Sequence, residues 1–270
     1  YCDFERPFDE VCSSCSKKAL TLLGFGIQSV EDEIRTLHPT LKVTRLDSDV
    51  ATSSKKLSDI LNDFAAKKIN LLIGTHMVTK GHDFDNVGFV GVVAIDSHLG
   101  LPDFRASERA FQNLVQVAGR SGRAEKRGSV IVQTLNPQHA AIQLGIHHDY
   151  QKFAEQELEV RRALNYPPFT RLVQIRFLSN SESTLKKFFN EWRTFLKSLK
   201  SHAGKQNVLL LGPAEMSLAK LRGKYRYHLL LKVPRGIKFQ GIVNYILADL
   251  EQRKPQGIQW QVDVDVVGVM

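Results

Sequence analysis

The sequence predicts a mixed α/β protein of about two domains. The length, 270 residues, suits two domains of ordinary size. From residue 41 to residue 134, apolar runs typical of buried strands alternate with helical patterns, which favours a parallel sheet with helices on both faces. From Thr170 onward the predicted order changes to β-α-β-β-α-β, which indicates an α+β domain of different architecture.

In the first domain a helix is predicted to begin at Ser29, because the acids at Glu31, Asp32 and Glu33 suit a first helical turn. The spacing of apolar residues predicts the elements that follow. Helices are predicted at about 29–37, 55–66 and 104–118, and strands at 41–46, 69–73, 87–95 and 129–134.

A charged helix at about 150–164 leads to Tyr166-Pro167-Pro168-Phe169, which ends helical structure because proline lacks a backbone donor. After this linker, helices are predicted at 182–199 and 239–250, and strands at 171–177, 208–211, 225–233 and 260–266. This order is the split pattern of a ferredoxin-like domain. The predicted divisions of the chain are residues 1–20, 21–150, 151–169 and 170–270.

The net charge of +9 and the pI of about 9.5 favour nucleic acid or an anionic membrane as a partner, although charge that serves solubility alone is the alternative. No apolar run reaches the roughly 18 residues that a membrane span needs, and no signal segment opens the chain. Because the chain opens on Tyr1, we expect it to be part of a longer protein.

Residues 116–123, with the sequence QVAGRSGR, are the strongest candidate for chemistry. Arg120 and Arg123 each follow a glycine, which allows close approach of the backbone to a ligand. A planar guanidinium suits phosphate oxygens and stabilises the charge that develops in phosphoryl transfer. With Gln116 one helical turn earlier, the group is interpreted as a cluster facing a polyphosphate. The alternative is a basic helix end that complements the helix dipole.

The segment that begins at Gly74 directly follows a predicted buried strand, and ligands of open α/β sheets collect at the carboxyl ends of strands. Gly74 and Thr75 could offer a backbone N–H and a hydroxyl to a phosphate. Gly81 and Asp83 could face a nucleotide. The alternative is a polar connecting loop.

Basic residues dominate the region from Lys220 to Lys238, which contains no acid and has aromatic residues interleaved. Such a composition suits single-stranded nucleic acid or an acidic peptide; a solvated hairpin is the alternative. The cations are densest at the predicted DNA-binding residues Lys220, Arg222 and Lys224. The others in this region are Arg226, Lys232, Arg235 and Lys238.

Three segments, taken together, resemble one family. GTHMVTKGHDF (74–84), DSHLGLPDFRASERAFQ (96–112) and QVAGRSGR (116–123), in this order and spacing, closely resemble the primosomal protein N′ (PriA) family of bacterial superfamily 2 replication-restart helicases. The first is similar to helicase motif V and the last to motif VI. The middle segment, by its chemistry alone a capped loop with surface ion pairs, resembles a stretch particular to this family. The resemblance covers nearly the whole chain.

The resemblance implies that residues 21–150 are the second RecA-like lobe of a helicase that uses ATP with Mg²⁺. Arg120 and Arg123 would reach the γ-phosphate as arginine fingers, supported by Gln116. The sequence contains no phosphate loop of the form G-x-x-x-x-G-K-[ST], so we expect this chain alone to be inactive. The other site residues implied are Gly81 and Asp83 for the nucleotide, and Gly74 and Thr75 for DNA.

All three cysteines, Cys2, Cys12 and Cys15, lie within the first 15 residues, which favours metal binding over a disulfide scaffold. Cys12 and Cys15 form a C-x-x-C pair, half of a four-ligand structural zinc site; free thiols are the alternative. The resembled family has two nested zinc sites. The resemblance therefore implies that residues 1–20 end a zinc-binding insertion and that Cys2 serves a different Zn²⁺ ion from Cys12 and Cys15.

The resemblance also implies what the intact protein does. It would be an ATP-dependent 3′-to-5′ DNA helicase that recognises stalled replication forks and initiates primosome assembly. The family's C-terminal domain resembles ribosomal protein S10 and contributes to DNA contacts. Implied partners are forked and single-stranded DNA, single-stranded-DNA-binding protein, other primosome proteins and the loader of the replicative helicase. We expect a cytoplasmic, nucleoid-associated monomer without a membrane partner.

Two alternatives differ from this interpretation. One is a non-catalytic adaptor that binds single strands and keeps an inactive helicase lobe, in which case the Walker lysine and its acid pair would be missing upstream. The other is a different superfamily 2 protein, such as a fork-remodelling helicase. The PDFRASER segment and the cysteine spacing argue against the second alternative.

Overall fold

The structure is a computed structural model that describes residues 11, 15–18, 26–47, 50, 53–74, 87–118 and 128–268. It is a mixed α/β protein, as the sequence predicts. The described residues form two compact units. The first unit lies within Asp9–Leu101 and Ala106–Ala154, and the second contains Pro102–Arg105 and the chain from Glu155 onward.

The first unit begins with a βαβ arrangement. Helix α1 (Ile27–Leu37) precedes strand β1 (Val43–Leu46), helix α2 (Ser54–Ala65) and strand β2 (Leu71–Gly74). The two strands pair in parallel, so α2 serves as the crossover between them. The Ser53 hydroxyl caps α2 by accepting a hydrogen bond from the backbone N–H of Lys56.

The predicted start of α1 at Ser29 is wrong. The helix begins at Ile27, after Gly26, and no side chain caps it. Ile27, Val30 and Ile34 follow one another at helical spacing, so the apolar stripe continues to the earlier residue. Apolar periodicity therefore places this boundary better than the acidic first turn does.

The first unit continues with a second parallel strand pair. Strand β3 (Phe89–Val92) pairs with β4 (Ser129–Val132), and the helices between and after them are α3 (Asp96–Leu99), α4 (Ala106–Ala118) and α5 (Ala140–Ile146). Helix α6 (Tyr150–Ala163) follows. The core of this region includes Phe111, whose ring stacks on that of Phe153 with centroids 4.2 Å apart.

The second unit has the predicted order β-α-β-β-α-β. Its elements are β5 (Thr170–Ser179), α7 (Glu182–Lys205), β6 (Leu209–Leu221), β7 (Lys224–Pro234), α8 (Gln240–Arg253) and β8 (Ile258–Val264). The strands form one sheet in the order β6-β7-β5-β8, and every neighbouring pair is antiparallel.

One face of this sheet packs against apolar residues of α7 and α8. Val173, Ile175 and Phe177 of β5 are fully buried there, as are Leu229 and Leu231 of β7. The helices contribute Leu185, Phe188, Trp192, Leu199, Ile242 and Ile246, among others. This is the larger hydrophobic core in the described part of the chain.

The opposite face of the sheet is also buried at its centre. Leu172 and Leu230 pack there with Tyr166. Beside them, the Gln174 Nε2 lies 2.9 Å from the His228 Nδ1, and both side chains are buried. Burial, with a further contribution from Arg226, lowers the pKa of His228 to about 4, so the ring is neutral at physiological pH. Strand β7 is therefore covered on both sides.

Among the described helices, none combines the length and apolar character needed to cross a lipid bilayer.

Candidate functional site

The first candidate residues lie at the carboxyl end of the β1–β2 pair. Gly74 pairs with Leu46 at the last position of the parallel register, and Gly74 is exposed. The segment it begins thus leaves from the edge where open α/β sheets collect ligands. Thr75, Gly81 and Asp83 lie outside the described residues, so their DNA and nucleotide contacts stay predictions.

Gln116 is positioned by α4. The helix buries its apolar side against α5 and leaves Gln116 half-buried, two residues before it ends at Ala118. The QVAGRSGR segment therefore begins on the last turn of a well-packed helix. Arg120 and Arg123 follow that helix and lie outside the described residues.

Asp96 holds the segment that follows β4. Its carboxylate accepts a hydrogen bond from the Thr134 hydroxyl at 3.0 Å and one from the backbone N–H of Leu135 at 2.9 Å. Burial alone would raise the pKa of Asp96, but these hydrogen bonds outweigh it and lower the pKa. The ionised carboxylate thus connects the segment after β3 with the segment after β4, and its role is structural.

Phe104, in the middle of the PDFRASER segment, belongs to the second unit and stacks on Tyr166, with ring centroids 5.2 Å apart. The Arg161 guanidinium lies 5.2 Å from the centroid of Phe104. The Lys232 Nζ lies 3.5 Å from the centroid of Tyr166 and donates a hydrogen bond to the carbonyl of Leu164. Two cations thus face two stacked rings, an arrangement that is favourable where water is excluded.

Lys220, Arg222 and Lys224 lie at the tight turn between β6 and β7. Leu221 pairs with Lys224, so the loop consists of Arg222 and Gly223 alone. Their φ angles are +49° and +80°, the pattern of a type I′ hairpin turn. The left-handed conformation of Arg222 is strained for a side-chain-bearing residue, whereas Gly223 adopts it freely.

The side chains of this turn differ in exposure. Lys220 and Arg222 are exposed, whereas Lys224 is half-buried and its Nζ donates a hydrogen bond to Gln259 Oε1 at 2.6 Å. The Lys220 Nζ lies 4.7 Å from the centroid of the Tyr225 ring. Within the described residues none of the three cations is paired with a carboxylate. The turn therefore carries positive charge that the described residues do not neutralise.

Two cations of the predicted basic region are not on the surface. Arg226 and Lys232 are 7% and 6% exposed, and burial lowers the pKa of each. Side chains alternate along a strand, so both residues lie on the face of β7 that also carries Leu230. The accessible basic surface is consequently smaller than the sequence predicts. It consists of the cations of the turn together with the exposed Arg235 and Lys238.

Cys15 is exposed and its thiol is free. Val11 and Lys18 form an antiparallel bridge, which places Cys15 in the turn between them. Cys2 and Cys12 lie outside the described residues, and the residues that are described contain no group of three potential metal ligands.

Helix α7 carries a further group of cations, which were not predicted from the sequence. Arg193, Lys197 and Lys200 are exposed and follow one another at intervals of four and three residues. That spacing places them on one face of the helix. The apolar stripe of the same helix is predicted from this periodicity, and the basic stripe could have been found in the same way.

Comparisons with known proteins identify two families along the chain. The helicase conserved C-terminal domain matches residues 12–125. The primosomal protein N C-terminal domain matches residues 162–267. The two matches follow one another in the order that the resemblance implies.

Several curated relatives share the name replication restart protein PriA. The chain is 36% identical over 269 residues to the protein of Synechocystis sp., a match that covers 100% of this chain and 31% of the relative. It is 36% identical over 234 residues to the protein of Borreliella burgdorferi, a match that covers 85% of this chain and 34% of the relative. It is 35% identical over 247 residues to the protein of Bacillus subtilis, a match that covers 92% of this chain and 30% of the relative. The chain thus spans about a third of the length of these relatives.

Proposed function

Because this chain belongs to the replication restart protein PriA family, we propose that it is the C-terminal part of an ATP-dependent 3′-to-5′ DNA helicase. In this proposal the intact protein recognises stalled replication forks and initiates primosome assembly. The observation that carries it is the succession of a helicase C-terminal domain and a primosomal C-terminal domain along one chain.

ATP with Mg²⁺ would bind between this lobe and a first lobe that carries the phosphate loop, a motif the present sequence lacks. The position of Gln116 on the last turn of α4 supports this assignment, because the two arginines follow directly. Arg120 and Arg123 would neutralise charge that develops on the γ-phosphate. Gly81 and Asp83 would contact the nucleotide, and this chain alone would not hydrolyse ATP.

The domain assignments form part of the proposal. Residues 21–150 would be the second RecA-like lobe, supported by its parallel strand pairs. Residues 151–169 would be a linker, and residues 170–270 a ferredoxin-like domain similar to ribosomal protein S10, supported by its strand order. Residues 1–20 would end a zinc-binding insertion.

Two structural Zn²⁺ ions are proposed for the intact protein. Cys12 and Cys15 would supply two thiolates to one ion, and Cys2 would supply one to the other. The antiparallel bridge between Val11 and Lys18 supports the first assignment, because it brings the ends of this segment together. Thiolate ligands that fill a tetrahedral site give the metal a structural role.

Gly74 and Thr75 would contact the DNA backbone from the helicase lobe, and Lys220, Arg222 and Lys224 from the second unit. The exposed turn supports the latter, since its charge is not neutralised by described acids. Proposed protein partners are single-stranded-DNA-binding protein, other primosome proteins and the helicase loader. We further propose a cytoplasmic, nucleoid-associated monomer.

Unwinding by the full-length protein tests the central proposal. With ATP and Mg²⁺, we expect it to separate a duplex that carries a 3′ single-stranded tail and to leave a 5′-tailed duplex largely intact. A non-hydrolysable ATP analogue should abolish the activity. Strand separation can be followed by a fluorophore and quencher on opposite strands. DNA binding without ATP turnover would favour the adaptor alternative and overturn the helicase proposal.

The proposed role of the turn in DNA binding can be tested by replacing Lys220, Arg222 and Lys224 together with glutamine. We expect weaker binding of single-stranded DNA and a flatter dependence of log Kd on log salt, by about 0.7 for each phosphate that is no longer neutralised. Anisotropy of a labelled oligonucleotide across a salt series measures both quantities. A Lys220→Arg, Lys224→Arg variant keeps the charge and should bind normally. An unchanged slope in the glutamine variant would identify the turn as a solvated hairpin.

A further inference from the structure

A groove with a volume of about 630 Å³ lies between α7 and β6. Arg193, Lys197 and Lys200 line it from the helix, and Pro213 lines it from the strand. Phe189 and Leu196 form its floor and are largely buried. All the lining residues belong to the second unit. The groove therefore combines a row of exposed positive charge with a buried apolar floor.

The positive charge of the groove is unbalanced along most of its length. At one end Lys186 pairs with Glu182, and Glu215 accepts a hydrogen bond from the Tyr227 hydroxyl at 2.6 Å. Beyond that end, Arg193, Lys197 and Lys200 are exposed and form no ion pair with the described carboxylates. A groove of this kind attracts an anionic ligand that extends along the helix axis.

The spacing of the cations suits a phosphodiester backbone. With a rise of 1.5 Å per residue, Arg193 and Lys200 are about 10 Å apart along the helix axis, so one cation occurs about every 5 Å. Phosphates of one nucleic-acid strand recur at a few ångströms per nucleotide, about 3.4 Å along the axis of B-DNA and farther apart in an extended strand. Each of the three cations can thus meet a different phosphate of one strand.

The form of the groove favours a single strand over a duplex. Its cations form a single row on α7, the half-buried Pro213 lines it from β6, and its apolar floor is buried. Proteins that bind single strands track one backbone with a positively charged groove of this kind. Because Phe189 and Leu196 are only 8% and 6% exposed, the contacts of such a strand fall on its phosphates rather than on its bases.

We propose that the groove between α7 and β6 binds a single-stranded nucleic acid through its backbone, as a second binding surface distinct from the Lys220–Lys224 turn. Pro213 and Lys220 lie on the same strand, about 20 Å apart at the usual rise of β-structure. This inference rests on the proposed function, because it assumes that the protein acts on DNA, and it assigns part of that binding to residues of α7.

The test replaces Arg193, Lys197 and Lys200 with glutamine in the full-length protein. We expect the Kd for a fluorescein-labelled oligothymidylate to rise at least about 10-fold at low salt, and the slope of log Kd against log salt to fall by about 2, at about 0.7 for each phosphate left without its cation. The matched control replaces Lys187, Lys205 and Lys254, which are also exposed and do not line the groove, with glutamine. The control should keep the wild-type slope.

Three results would overturn the assignment. The groove variant could have the same Kd and salt slope as the control variant while the wild type binds normally. The groove would then not be a binding site, and the proposed function would be unaffected. The groove variant's affinity for a labelled duplex could fall as much as that for the single strand. It could instead lose binding of a polyglutamate peptide and keep oligothymidylate binding, which would identify an acidic-peptide site. If the wild type fails to bind single-stranded DNA at all, the proposed function itself fails.

Discussion

Replacing Arg123 by alanine in the full-length protein should lower ATP turnover at least about 10³-fold, the scale on which an arginine finger acts. The guanidinium would stabilise charge on the γ-phosphate during transfer, and alanine removes it without changing the residues proposed to bind DNA. Single-stranded DNA binding should therefore stay within a few-fold of wild type. Steady-state phosphate release and oligonucleotide anisotropy measure the two effects separately.

Two companion variants sharpen the test of Arg123. Arg123→Lys keeps the positive charge and loses the planar fork, so it should recover only part of the missing turnover. Arg35→Ala removes an exposed arginine of the first unit that pairs with Glu31. That variant should hydrolyse ATP normally. Near-wild-type turnover in Arg123→Ala would contradict the assignment of a finger to this residue.

Replacing Trp192 by alanine should lower the free energy of unfolding of the second unit by about 3–5 kcal/mol, the usual effect of removing a large buried aromatic side chain. Trp192 is 0% exposed, and its ring lies 5.1 Å from that of Phe188 and 5.3 Å from that of Phe195, measured between centroids. Its Nε1 donates a hydrogen bond to Asp249 Oδ2 at 2.6 Å. Alanine leaves a cavity and removes a donor from that carboxylate.

Hydrogen exchange of the β5 and β7 backbone amides in the intact chain measures this destabilisation, because these strands lie in the same core. Trp260→Ala is the matched control. Trp260 is half-buried on β8, at the edge of the sheet, so its replacement should lower the free energy of unfolding less than that of Trp192. Protection factors in Trp192→Ala that equal those of the control would show that the Trp192 cluster does not hold the second unit together.

The order of the elements could be predicted from the sequence because burial leaves either a periodic stripe of apolar residues or a continuous apolar run. Helix α7 illustrates this, since the apolar stripe through Phe188, Trp192 and Leu199 is the side that packs on the sheet. Its end could not be predicted. The helix continues six residues beyond Leu199, to Lys205, because the small Ala203 is fully buried against the same core.

Strand β6 shows a different limit. The sequence predicts an end at Leu211, because glycine and proline usually interrupt a strand. Instead β6 continues to Leu221, with irregular register on either side of Ala214 and Glu215. Gly212 has φ +91°, and a Cβ there would lie 2.6 Å from the carbonyl oxygen of His228. Glycine is thus required by the close approach of a neighbouring strand, which a single sequence does not display.

For the candidate sites too, features that depend on neighbouring residues could be predicted, and features that depend on residues far away in sequence could not. A type I′ turn is a local property, so the exposed cations at Lys220 and Arg222 could be predicted from neighbouring residues alone. The burial of Arg226 and Lys232 depends on residues far away in sequence, such as Tyr166, which lies against Lys232. Long-range packing of this kind leaves no periodic trace in the strand itself.

The two-sided burial of β7 limits the amino-acid substitutions that this strand can accept during evolution. Arg226 through Val233 are buried without interruption, whereas along β8 only Ile258 is buried and the other residues are half-buried or exposed. Random substitution should therefore be rejected at nearly every position of β7. In β8, tolerance should be highest at the exposed positions, among them Gln259, Gln261 and Val264. Among diverged homologues, β7 would then vary least of the four strands, and it would do so for reasons of packing rather than of chemistry.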